Sequence, residues 1–214
     1  MTKSEKSCRH EKLMGSQTPS DRIVPDYAYT DGPDAVKVLA VGKLIVDPWQ
    51  SEVLNDWMGR TEDDVWSAPT CGLSVPRQNG KTLDTSGRIA SGMILYAEWV
   101  IYTAHLQKTA TETFMELRGL FESRGLRKYV KEIKAALGRE QIILKNGGRV
   151  VFVARTRNGG RGLHGDCLVF DEAQELTSEQ QASFCRQYQR QGIHKRFILE
   201  HHRMKIVPAQ YSGR

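Results

Sequence analysis

The chain has 214 residues, 39% hydrophobic and 26% charged, a balance that fits a folded domain with a sizeable core. It contains no run of 18 apolar residues to span a membrane, and its polar N-terminus is unlike a signal peptide. The net charge of +6 is localised: seven of the 31 Lys/Arg and one of the 25 Asp/Glu fall in 185–214, leaving 24 of each in 1–184, so the charge says little about what the body binds.

In chain order, residues 1–33 mix charge, Ser and Pro and are expected to form a flexible arm. Asp47–Arg60 reads as a helix with Asp47 as N-cap, Pro48 as first residue and Gly59 as stop, its apolar face built from Trp49, Val53 and Trp57. Thr70–Val75 is a strand, followed by a loop and a helix to about Ala97. Glu98–Ala104 is a buried strand and Gln107–Gly125 an amphipathic helix, with Met93, Phe114, Met115 and Phe121 at core spacing. Gln141–Ala154 is a hairpin around Asn146-Gly147, a pair suited to the positive φ of a tight turn. Cys167–Phe170 is short and wholly apolar, as in a strand covered on both faces. Alternating strands and helices predict an α/β fold with a mostly parallel sheet. Cys8, Cys71, Cys167 and Cys185 are scattered, with no C-x-x-C pair, and read as reduced cytosolic thiols. His105 and His164 have no partner at metal or triad spacing and read as structural.

The chemistry centres on "SVPRQNGKTL", Ser74 to Leu83. It ends as a Walker A phosphate loop does, in Gly80, Lys81 and Thr82, but Val75 stands where the first glycine would be. Pro76 shapes the turn differently. The loop from Pro76 through Arg77, Gln78, Asn79, Gly80, Lys81 and Thr82 lies between a strand and a helix, where backbone N–H groups converge on a phosphate. The second requirement is an acidic pair at the end of a neighbouring buried strand, and "CLVFDEAQ" supplies it. Asp171 and the Thr82 hydroxyl would hold Mg²⁺, Glu172 would polarise the attacking water, and Lys81 would neutralise the β and γ phosphates of ATP. Read alone, "DEAQ" is equally a helix N-terminus with acids on its dipole.

"PWQ", "SVPRQNGKT", "YTAH…TATETF", "ARTRNGGRGLHGD" and "LVFDEAQEL", in this order over about Asp47 to Phe184, resemble the ATPase domain of tailed-phage terminase large subunits. The resemblance implies a P-loop fold of the ASCE/RecA-like class and an ATP hydrolase that packages double-stranded viral DNA. It implies a homo-oligomeric ring at the portal protein, a small terminase subunit as partner, no membrane, and work in the host cytoplasm. It makes Gln50 an adenine contact, against the alternative of a solvated helix residue. It makes Arg77 a γ-phosphate contact rather than a residue of the loop's outer side. Arg155, Arg157 and Arg161, set among Gly159, Gly160, Gly162 and Gly165, offer either an arginine finger for a neighbouring subunit's ATP or a grip on DNA phosphates.

The resemblance ends after Phe184. The domain, 34–184, is then incomplete, with the C-terminal part of its core and the family's nuclease domain missing, and 185–214 is a basic non-homologous tail. Reading Cys185 to Arg203 one base out of phase permits Leu-Pro-Thr-Ile-Ser-Ala-Ala-Gly-Asn-Thr-Gln-Thr-Ile-Tyr-Ser-Gly-Thr-Pro-Pro, the family's expected continuation with its coupling motif. The tail is therefore expected to be out-of-frame translation, and the chain alone weakly active or inactive. Two rival readings are a helicase-like ATPase, since "DEAQ" resembles helicase motif II, and a non-enzymatic fragment binding nucleic acid through the tail.

Overall fold

The structure is a computed structural model that describes residues 16–76, 79–155, 164–180 and 196–201. Its main sheet has seven strands: β3 (Thr70–Ser74), β4 (Trp99–Ala104), β5 (Val130–Lys134), β6 (Gln141–Leu144), β7 (Arg149–Ala154), β8 (Cys167–Phe170) and β9 (Arg196–His201). Their order across the sheet is β3-β9-β8-β4-β7-β6-β5. The first five run parallel, while β6 and β5 close one edge antiparallel. All four residues of β8 are buried, as the apolar run requires of an interior parallel strand.

Two long helices cover one face, α3 (Lys81–Tyr96) and α4 (Gln107–Glu122). Ile89, Met93, Phe114, Leu117 and Phe121 meet Tyr102 and Phe152 of the sheet in one core. Phe114 packs edge-on to Phe152 with ring centroids 5.5 Å apart. Met115, expected in that core, instead lies 55% exposed. It is one residue, or about 100° of helix, beyond Phe114, and the buried stripe of α4 runs through 110, 113, 114, 117, 120 and 121.

The arm is shorter than the sequence suggests. The Arg22 guanidinium forks onto Asp56, at 2.8 and 2.7 Å, and β1 (Tyr29–Thr30) pairs antiparallel with β2 (Gly59–Arg60). A helix not foreseen, α1 (Gly32–Val41), follows directly, with Pro33 in its first turn. It crosses α2 (Pro48–Trp57) so closely that a Cβ on Gly32 would fall 2.2 Å from Asn55 Oδ1. The buried residues of α2 are Gln50, Leu54 and Trp57; of the expected face Trp57 is buried and Val53 packs against the core, while Trp49 is only half-buried. The helix is rotated because Gln50 is drawn inward by two hydrogen bonds described below.

The hairpin turn needs positive φ only at Gly147 (98°). Asn146 acts through its side chain, donating to Met93 O and Ile94 O near the end of α3 and accepting from Gly148 N. Within the stretch expected to be a non-homologous tail, Arg196–His201 forms β9. This strand stands between β3 and β8, with Cys71 opposite Ile198 and Val169 opposite Ile198 on its two sides. Phe197-Ile198-Leu199 is an apolar run of the type an interior parallel slot accepts, though it carries none of the longer periodicity by which strands are read. No helix among the described residues is long and apolar enough to cross a membrane.

Candidate functional site

The site lies at the carboxyl edge of the parallel strands, where open α/β sheets place their ligands. β3 ends at Ser74 and leads into the loop; β8 ends at Phe170 and leads into Asp171 and Glu172. These strands are not neighbours. One strand, β9, separates them, and this spacing leaves room for a phosphate chain between loop and acidic pair.

Gly80 precedes α3 with φ +79°, a left-handed turn that points the first N–H groups of a 16-residue helix at the edge of the sheet. Lys81 crosses from this turn to the acidic pair. Its Nζ donates to Asp171 Oδ1 and lies 3.8 Å from Glu172 Oε1. Asp171, 5% exposed, also accepts from the Tyr102 hydroxyl on Oδ2, and Tyr102 in turn meets Thr113 Oγ1 at 3.0 Å. The Asp171 carboxylate is thus fixed from both sides before any ligand arrives. Glu172 is held with φ 52° and ψ 54°, a left-handed conformation for a residue bearing a Cβ. The acidic pair is followed by a single 3-10 turn, Ala173–Glu175, rather than a long helix for the acids to cap.

Gln50 is 3% exposed, which rules out the solvated reading. Its Oε1 accepts from Asp47 N at 2.8 Å and its Nε2 donates to Gly80 O at 3.1 Å, so it ties the start of α2 to the phosphate loop. Below it, on the first turn of α3, Asp84 is fully buried with neither oxygen hydrogen-bonded among the described residues. Burial, reinforced by the charge of Asp47, pushes its carboxyl up to about 8, against an opposing contribution from the nearby Gln50 amide.

Beside the loop, a cavity of about 530 Å³ is lined by Gly80, Thr82, Leu83 and Ser86, by Gly42 and Leu44, and by Glu116, Gly119 and Leu120 of α4. This is the size of a small-molecule site. Burial and then the charges of Glu112 and Asp171 raise the Glu116 carboxyl above its usual range.

The arginines divide. Arg155 is 5% exposed and turned inward, donating to the carbonyls of Thr103, Asp171 and Glu172, so it is not presented to a neighbouring subunit or to DNA. Arg157 and Arg161, like Arg77 and Gln78 of the loop, lie outside the described residues, as do Cys8 and Cys185. Cys71 and Cys167 are buried. His105 is exposed, without a hydrogen bond among the described residues, and His164 is exposed. Three contributors escaped the sequence reading: Tyr102, Asp84 and the inward role of Arg155. A tyrosine in an otherwise apolar buried strand needs a partner for its hydroxyl, and that was the one legible signal.

The Asp171 and Glu172 carboxylates that meet Lys81 are oxygen donors. Such donors suit Mg²⁺, which needs one or two protein ligands when it arrives with substrate phosphates. Accordingly a dense cluster is not required, and none of three or more His, Cys, Asp or Glu is found among the described residues.

No protein-family model and no curated protein matches the sequence. Solved structures do. The large terminase of bacteriophage HK97 matches at 15% identity and TM-score 0.65, over 80% of this chain and 38% of its own. A Thermus phage large terminase ATPase domain matches at 13% identity and TM-score 0.56, over 83% of this chain and 70% of its own. A thermophilic bacteriophage large terminase in complex with ADP matches at 13% identity and TM-score 0.52, over 81% of this chain and 38% of its own. The chain thus spans well under half of the whole terminases it matches. Its fold is similar to that of the ATPase domain of phage large terminases.

Proposed function

We propose that this chain is the ATPase domain of a phage DNA-packaging motor, binding ATP with Mg²⁺ and hydrolysing it. The observation that carries the reading is the convergence of Lys81 on Asp171 and Glu172, 90 residues away in sequence, at the carboxyl edge of the sheet. The ADP-bound terminase among the similar structures supports a nucleotide ligand for the fold.

In this reading the N-terminus of α3 and the residues Pro76, Arg77, Gln78, Asn79 and Gly80 cradle the phosphates. Lys81 leaves the carboxylates for the β and γ phosphates. Asp171 and Thr82 hold the metal, which when bound neutralises the phosphate oxygens. Glu172 orients a water on the γ-phosphorus. The new P–O bond forms as the bond to the bridging oxygen breaks, its electron pair staying with ADP and the water proton passing towards Glu172. Gln50 fixes the loop from the adenine side. Arg157 or Arg161 completes a neighbour's site or grips DNA. Double-stranded viral DNA is the cargo, the portal protein and a small terminase subunit are the partners, and the working form is a homo-oligomeric ring in the host cytoplasm.

The test is equilibrium binding of a fluorescent ATP analogue together with phosphate release. Lys81→Ala should weaken binding at least tenfold. Glu172→Gln should retain binding and lose turnover by at least a hundredfold. Binding indifferent to Lys81→Ala would refute the reading.

A further inference from the structure

Arg155 is the first residue after β7 and is nearly without solvent contact, yet its guanidinium meets no carboxylate within ion-pair distance among the described residues. The bonds its two terminal nitrogens make go to neutral oxygens, while Nε has no hydrogen-bond partner among the described residues. Nη1 donates to Asp171 O at 2.7 Å and Thr103 O at 3.0 Å, and Nη2 to Glu172 O at 3.1 Å. Its own N–H bonds Ala104 O at 2.8 Å. The side chain therefore binds together the carboxyl ends of three adjacent strands, β7, β4 and β8, where the acidic pair emerges. A buried cation used in this way is costly unless the oxygens it collects need fixing.

One of them does. Glu172 is one of four residues other than glycine with positive φ among the described residues, and it alone of these is in the acidic pair. Left-handed backbone disfavours a side chain with a Cβ, so the conformation persists only where its surroundings hold it. Both main-chain polar groups of Glu172 are held: its N–H by Asp171 Oδ1 at 2.8 Å, its carbonyl by Arg155 Nη2 at 3.1 Å and by Glu175 N at 3.0 Å. Of the two donors on the carbonyl, Glu175 belongs to the turn that follows and moves with it, so Arg155 is the one that ties the peptide to the sheet; without it the peptide could relax towards the right-handed region and carry the carboxylate away from Lys81.

We infer that Arg155 is a positioning residue of its own subunit's site, clamping the left-handed backbone of Glu172 so that the carboxylate faces the attacking water. This rests on the nucleotide-site reading above. It also makes Arg155 the opposite of a finger, since it acts in cis on main-chain carbonyls. A misplacement of about 1 Å in such a group is enough to cost on the order of a hundredfold in rate, while ground-state binding of the nucleotide need not change.

The test uses the full chain at concentrations where it is monomeric, with fluorescent ADP and Mg²⁺, with and without aluminium fluoride, the mimic of the transferring phosphoryl group. Wild-type protein should bind ADP more tightly when aluminium fluoride is present. Arg155→Gln should leave ADP affinity within about threefold and lose at least tenfold of that tightening. Arg155→Lys, able to reach one or two of the carbonyls, should fall between; if Arg155→Gln does not fold, this variant carries the comparison. Undiminished tightening in Arg155→Gln would overturn the inference. So would a wild-type chain that binds ADP with no tightening, or a defect seen only where the chain self-associates, which would mark a finger. Lys81→Ala separates the two layers: ADP binding indifferent to it indicts the nucleotide site itself, not the clamp.

Discussion

Asp84 gives the sharpest thermodynamic prediction. Its carboxyl is fully buried, with no hydrogen bond to either oxygen among the described residues, and burial followed by the charge of Asp47 raises it from the ordinary 3.8 to about 8 against a small opposing pull from Gln50. The folded protein therefore keeps a proton that the unfolded chain releases above pH 4. The resulting stability is complete below the unfolded value and is lost as pH rises towards 8. Each pH unit across that window is worth about 1.4 kcal/mol, so the ceiling is about 6 kcal/mol; movement of water or of Gln50 towards the carboxylate will reduce it. Asp84→Asn removes the titration while keeping size and polarity. Urea unfolding of both proteins at pH 5, 6.5 and 8 is the assay, with the difference between them cancelling every other titrating group. The wild type should lose stability relative to the variant by several kcal/mol from pH 5 to pH 8. A constant difference across the three pH values would refute the reasoning, because Asp84 would then be ionised or solvated in the fold throughout.

The buried pair of Arg88 and Glu98, joined at 2.7 and 2.9 Å, predicts that Glu98→Ala costs about 3–5 kcal/mol in denaturant unfolding by leaving a buried guanidinium unpaired. Gly92→Ala should act through the same pair, since a Cβ there would stand 2.0 Å from Glu98 Oε2 and 2.4 Å from Arg88 Nη1. Tyr102→Phe removes the hydroxyl that holds Asp171 and should raise the Mg²⁺ concentration for half-maximal nucleotide binding by about tenfold, read by titration at fixed nucleotide. Resequencing codons 175–214 of the gene should reveal a single-base change whose restored frame encodes the coupling motif; a confirmed frame would make 185–214 genuine sequence.

The parts of the site legible in the sequence were those whose chemistry is local. Gly80-Lys81-Thr82 between strand and helix, and Asp171-Glu172 after four apolar residues, announce themselves by order and spacing, and the parallel sheet brings them together. What was not legible depends on rotation about an element or on contacts across the sheet. The face of α2 read as Trp49–Val53–Trp57 because apolar residues mark a buried stripe, but two hydrogen bonds draw polar Gln50 inward and turn the helix accordingly. Arg155 sits in a glycine-rich basic loop, a composition that suggests an outward-facing grip, and only its place at the end of β7 aims it at the carbonyls of β4 and β8. Asp84 carries no local mark of burial, because an acid in the first turn of a helix suits the dipole whether or not water reaches it.

The strand β9 shows a different kind of limit. Parallel pairing uses the backbone alone, so what a slot between β3 and β8 asks of a sequence is weak: about five residues, apolar in the middle, without proline. In frame, Arg-Phe-Ile-Leu-Glu-His meets that demand, with its charged residues at the two ends of the register, opposite Cys167 of β8 and Leu73 of β3. That requirement concerns β-propensity and apolarity rather than identity, which is why a strand can form in a stretch whose wider composition, rich in Arg, Gln and His, gives no sign of one. The register then leaves His201 at the carboxyl edge of the sheet, opposite Ser74, where β3 leads into the loop.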